Sequence, residues 1–123
     1  MREIKFKYYF KVHSRHGIEI NTIVLSIEDI QNRIFTHKPE GLLARVQFTG
    51  LQDKNGVDIY EGDIINFRAN YTNKPCGYFE GVVEITPWKL IVTVNGLEYD
   101  AEEECEGLDY NSEVVGNIYE NKI

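Results

Sequence analysis

Apolar and polar residues alternate at the start of the chain. In EIKFKYYFKV, residues 3–12, Ile4, Phe6 and Tyr8 fall on one side and Glu3, Lys5 and Lys7 on the other. That period of two is expected of a half-buried strand. HSRHG reads as a loop, and IEINTIVL offers a second strand. The period then changes. In SIEDIQNRIF, Ile27, Ile30 and Ile34 recur at helical spacing, with Ser26 placed to cap the first turn and Asp29, three residues on, making a box-like start. Pro39 and Gly41 end a helix soon after. The pattern predicts a short helix over residues 26–35, which must pack on a sheet to persist.

Beyond residue 42 the pattern is all strand: LLARVQFTGL, VDIY, IINF, YFEGVVEI, LIVTV, LEY and EVVGNIYEN. Turn residues separate these runs. Asn55-Gly56 suits a type I′ hairpin, because both positions tolerate positive φ. EGD makes the next turn, RANYTNKPCG is a polar loop, TPWK joins a second hairpin, and Asn95-Gly96 makes another tight turn. Trp88, beside Pro87, is expected to cover the sheet from its turn. Several short strands with glycine turns and one helix predict a mainly β (α+β) fold, a small barrel-like or strongly bent antiparallel sheet. There is no internal repeat or linker, and 123 residues suit a single domain over residues 1–123.

Composition narrows the function classes. The hydrophobic content of 42% and aromatic content of 12% are those of a folded protein. No apolar run approaches the roughly 20 residues that span a bilayer, and MREIKFK lacks the apolar core of a secretory signal. We therefore expect a cytoplasmic protein that does not engage membranes, with Cys76 and Cys105 as two thiols; a single disulfide between them stays open. The 20 acidic and 13 basic residues give a net charge of −7, which argues against nucleic acid as a partner. Seven of the acids fall in EYDAEEECEGLD, residues 98–109, with no basic residue among them. This stretch is expected to be a solvated loop or a short exposed helix; the alternative is an acidic imitation of DNA that inhibits a host DNA-binding enzyme.

The densest stretch for chemistry is QFTGLQDKNGVDIYEGD, residues 47–63. Glu61, Asp63 and nearby Asp58 are carboxylates in one short segment. Catalytic acids need a positioned pair with divergent pKa values, and divalent ions need several oxygens converging on one point. Here the acids lie on a hairpin arm and a tight turn, with no HExxH, D-x-D-x-D or GxxxxGK[ST] pattern. Turn chemistry explains more: Gly62 supplies freedom at a sharp corner, and Asp63 is suited to accept a backbone N–H there. His13 and His16 make an HxxH, but with Cys76 and Cys105 they form a zinc set only if folding gathers all four. No serine nucleophile motif is present. We assign no catalytic residue, cofactor site or metal site.

Three blocks resemble the YopX family of small phage and prophage proteins: MREIKFK at residues 1–7, QFTGLQDKNGVDIYEGD at 47–63 and EVVGNIYEN at 113–121. Their order and placement match across nearly the whole chain. The sequence departs between the blocks, where YYFKV stands in place of the tryptophan-containing segment that members often carry. The resemblance implies a mostly β protein encoded by a mobile element of bacteria, and it brings no catalytic residues. The motif residues are Thr49, Gly50, Leu51, Asp53, Asn55, Gly56, Tyr60, Gly62 and Asp63, with Gly116, Asn117 and Tyr119 in the last block. We expect folding roles for them: turn chemistry for the glycines, Asn55 and the aspartates, and core packing for Leu51 and Tyr60. A full set of folding signals without a chemistry signal points to a non-catalytic protein-binding or assembly module in the bacterial host. Its protein partner is unidentified, and homo-oligomers are compatible with the reading.

Overall fold

The structure is a computed structural model that describes residues 4–26, 41–69 and 74–120. Its elements run β1 (Lys5–Ser14), β2 (Gly17–Ser26), β3 (Leu42–Gln52), β4 (Asp58–Tyr60), β5 (Asp63–Ala69), β6 (Gly77–Ile85), β7 (Leu90–Val94), β8 (Leu97–Asp100), α1 (Leu108–Asn111) and β9 (Glu113–Asn117). They form a four-stranded sheet in the order β2-β1-β3-β4 and a five-stranded sheet in the order β8-β7-β6-β5-β9. The paired strands are antiparallel, and the first sheet curls into a half-barrel, so the protein is mainly β with a strongly bent sheet.

Strict alternation builds the second sheet. Along β5, Ile65, Phe67 and Ala69 are buried while Asn66 and Arg68 are exposed, the signature of one packed face and one wet face. Those side chains join Val83, Val92, Tyr99 and Leu108 in the larger core cluster. A smaller cluster of Tyr9, Val46, Phe48 and Tyr60 fills the curled sheet. Strand β4 connects the two. Its consecutive residues point to opposite faces, so Ile59 enters the larger cluster and Tyr60 the smaller.

Several expectations need correction. HSRHG is not a loop: β1 and β2 continue until only Arg15 and His16 form the turn between them. The polar side of β1 is not solvated, because Lys5 lies 4.4 Å from the centre of the Phe48 ring and Lys7 lies 4.3 Å from that of Tyr60. Lysine stems pack on apolar surface and their charges favour ring faces, so both sides of the first half of the strand are covered, while Lys11, His13 and Ser14 beyond it are exposed. Asn55-Gly56 is not a type I′ turn, since Gly56 has φ +78° but Asn55 does not have positive φ. Asn95-Gly96, with φ +50° and +84°, has both. Trp88 does not lie down on the sheet: it is 91% exposed. The acidic stretch is only partly solvated: Ala101, Glu104, Cys105 and Leu108 are buried, and Lys89, Lys74 and Arg68 pair with Asp100, Glu104 and Glu106. The helix expected over 26–35 falls almost wholly on residues outside those described; Ser26 itself closes β2.

Candidate functional site

Stretches from the beginning, middle and end of the chain meet at the joint between the sheets. The middle stretch turns the corner. Glu61 donates its N–H to the Gln47 carbonyl at 2.9 Å, in the first sheet, and Gly62 donates to Val83 at 2.8 Å, in the second. Gly62 has φ +88°, a left-handed conformation that side chains rarely adopt. A Cβ there would also stand 2.6 Å from the Tyr119 ring. The final stretch closes over this corner: Asn117 pairs with Asp63, and Ile118 donates to the Gly62 carbonyl at 3.0 Å. Asn117 Oδ1 accepts the Tyr119 and Glu120 N–H groups at 2.9 and 2.8 Å. The Tyr119 ring then packs 5.1 Å from that of Tyr9 on β1.

Asp63 is 2% exposed. Its Oδ2 accepts the Tyr60 N–H at 2.8 Å. Burial raises its pKa to about 6, which that bond and the Lys7 charge only partly offset, while Glu120 adds to the rise. The Tyr9 hydroxyl is buried without a hydrogen-bond partner among the described residues, and burial, helped by the charges of Asp63 and Glu120, holds it protonated well above the ordinary tyrosine range.

Asp53 performs a second joining task. Its Oδ1 accepts Asn55 and Val57 N–H at 2.8 and 2.9 Å, and its Oδ2 accepts Val114 N–H of β9 at 2.9 Å. Burial works against the charged form, but those three bonds and the Lys54 charge prevail, and the carboxyl titrates below its ordinary value. The Lys54 N–H adds a bond to the Ser112 carbonyl at 3.0 Å. Thr49 is fully buried; its hydroxyl donates to the Ile59 carbonyl at 2.7 Å and accepts the Leu51 N–H at 3.1 Å. Gly50, φ +89°, lies where the β3–β4 register shifts, and Leu51 packs on the larger core. Gly116 lies beside the register shift of β5 against β9.

The corner therefore gathers Tyr60, Gly62, Asp63, Asn117 and Tyr119, while Asn55 and Gly56 lie exposed at the hairpin tip. It does not gather the carboxylates into a pair. Asp58 points to Lys5 and Gln52, at 2.7 and 3.0 Å; burial opposes its charge, but those partners and Lys7 hold its pKa below the ordinary value. His13 and His16 sit exposed at the β1–β2 hairpin, and Cys105, bridged to Ala69 in the other sheet, has its thiol pushed up to about 12 by burial and the charges of Asp100 and Glu104. Among the described residues, no three of His, Cys, Asp and Glu are grouped to hold a metal. The contributions of Lys5, Lys7 and Tyr9 escaped the sequence reading, which placed the lysines in solvent. The run YYF at 8–10 is the signal: adjacent aromatics on one strand require cover on both faces.

A family model described as YopX protein matches residues 5–122. The chain belongs to the YopX family. Among solved structures, the crystal structure of protein EF1440 from Enterococcus faecalis is similar to this YopX chain with a TM-score of 0.50 over 98% of this chain and 96% of that one. At 18% identity the likeness is one of fold. No curated protein matches the chain. The three YopX blocks quoted above are the stretches that meet at the corner: Lys5 and Lys7 from the first, Gln47 to Asp63 from the second, and Asn117 to Tyr119 from the third.

Proposed function

We propose that this YopX-family chain is a non-catalytic binding module for another protein, encoded by a phage or prophage and working in the cytoplasm of the bacterial host. The observation that carries the reading is β2. Among the described residues it is an edge of the first sheet, ten residues long, with Ile18, Ile23 and Val24 exposed. Glu19 is its one charged residue, and it contains no Lys or Pro. Natural edges are usually short, or guarded by lysine and proline; an open apolar edge is a template for pairing with an extended segment of a partner. Self-association through the same edge is the homo-oligomeric form of this reading.

The corner supports a framework role rather than catalysis. Asp53 and Asp63 direct carboxylate oxygens to backbone N–H groups, and Asp63 is sealed from solvent. No helix among the described residues is long and apolar enough to cross a membrane. Imitation of DNA by the acidic stretch has less support, because Asp100, Glu104 and Glu106 are each paired with a cation of the same chain.

The test is capture from bacterial cytoplasm with the parent chain and with Ile23→Lys, Val24→Lys as baits. The parent should retain a reproducible protein, or itself, and the folded double variant should lose it. Equal recovery by both baits, or none by the parent, contradicts the reading.

A further inference from the structure

Trp88 is the chain's one tryptophan, and at 91% exposure it stands apart from the exposed aliphatic side chains, which lie between 37% and 47%. Its indole N–H makes no hydrogen bond among the described residues. The turn that carries it, between β6 and β7, is tightly tied. Thr86 donates its N–H to the Lys89 carbonyl at 2.9 Å and its hydroxyl to the same oxygen at 2.7 Å. The hydroxyl also accepts the Trp88 and Lys89 N–H groups at 3.3 and 3.0 Å, and Pro87 fixes a further φ. A large amphipathic ring held out by a preorganised turn loses little entropy on docking, and tryptophan is the residue type most concentrated in binding hot spots.

The surroundings give the sign of the partner. Ala101 N–H donates to the Leu90 carbonyl at 3.0 Å, so the turn after β8 lies at the same end of the sheet as Trp88. Asp100 Oδ1 accepts the Glu102 and Glu103 N–H groups at 2.9 and 3.1 Å, which fixes this turn with both glutamate side chains exposed and in no ion pair among the described residues. The nearby cation, Lys89, is already opposed by Asp100 at 3.7 Å. The end of the sheet that carries the apolar ring therefore also carries two carboxylates without an ion pair among the described residues, on a chain of net charge −7, which favours approach to cationic surfaces and repels anionic ones.

We propose that Trp88 anchors a second protein-binding epitope, and that its partner offers an apolar pocket rimmed by lysine or arginine. The inference rests on the reading of this chain as a protein-binding module but not on β2, which lies in the other sheet. The experiment places the photo-crosslinker p-benzoylphenylalanine at Trp88, at Ile23 on β2 and at exposed Tyr110, in otherwise intact chains expressed in bacteria. Circular dichroism checks that each variant folds. Position 88 should give a discrete protein adduct that position 110 does not, mapping to an apolar pocket bordered by basic residues. The adduct should fall at least tenfold with Glu102→Lys, Glu103→Lys, and should weaken as salt rises in lysates. No adduct at 88, an adduct to lipid, or one indifferent to both charge reversal and salt overturns the proposal. Adducts at 23 without one at 88 defeat this inference alone; silence at both positions also removes support from the edge-strand reading.

Discussion

Gly62 carries two constraints at one residue. Its φ of +88° excludes a β-branched side chain at a cost of about 1–3 kcal/mol, and a Cβ would collide with the Tyr119 ring. Gly62→Val should therefore cost at least about 2 kcal/mol in urea unfolding, whereas Glu61→Ala, at a half-buried turn position whose side chain makes no hydrogen bond or ion pair among the described residues, should cost about 0.5 kcal/mol. Comparable losses would mean that the corner is looser than its geometry indicates. At this scale the sequence was legible where a residue type has one physical use. Gly62 in EGD announced a sharp turn. Asn-Gly did not, because the same dipeptide makes a type I′ turn at Asn95-Gly96 but not at Asn55-Gly56, where Asp53 accepts two N–H groups of the loop and draws Asn55 out of positive φ. Such long-range or loop-wide bonding is not encoded in a pair of letters.

Strands β6 and β7 approach closely at Gly81, where a Cβ would meet Val92 Cγ1 at 2.7 Å and the Thr93 carbonyl at 2.9 Å. The backbone oxygen cannot withdraw without opening the ladder. Gly81→Ala should thus lower stability by about 1–3 kcal/mol despite the general advantage of alanine over glycine in a strand, and a thermal melt that is unchanged or raised would show that the hairpin has slack. The strands themselves were readable from alternation and turn residues. Their surroundings were not: Lys5 and Lys7 were read as a solvent face, yet the first sheet curls so that both lie over rings of its own concave side. Curling depends on how β4 joins the two clusters, a relation between distant segments that periodicity within one strand does not express. In the same way the acids at 98–109 read as solvated because their cations, Arg68, Lys74 and Lys89, come from other parts of the chain.

Over the whole molecule those pairings consume much of the positive charge. Lys5, Lys54, Arg68, Lys74 and Lys89 each face a carboxylate, and the chain holds 20 acidic against 13 basic residues. Duplex DNA or RNA at 150 mM salt should produce no anisotropy change at micromolar protein; saturable binding with a steep salt slope would reverse this. The family blocks were visible in sequence, but their meeting at one joint was not, since nothing local links Lys7, Asp63 and Tyr119. That joint is the central claim, and Asp63 tests it. Its folded pKa, about 6, lies above the ordinary aspartate value of 3.8, so between these values the folded state binds more protons than the unfolded state. This group's contribution to stability is therefore greatest below about pH 4 and is lost as pH rises through about 6. Asp63→Asn removes that dependence while keeping an acceptor for the Tyr60 N–H. The decisive measurement is the stability difference between Asp63→Asn and the parent chain by urea unfolding at pH 4.5 and at pH 7.5. The difference should move in favour of the asparagine variant by about 2 kcal/mol from the lower to the higher pH; a difference that is constant with pH, or that moves in favour of the parent, would contradict a sealed carboxylate at the joint between the sheets.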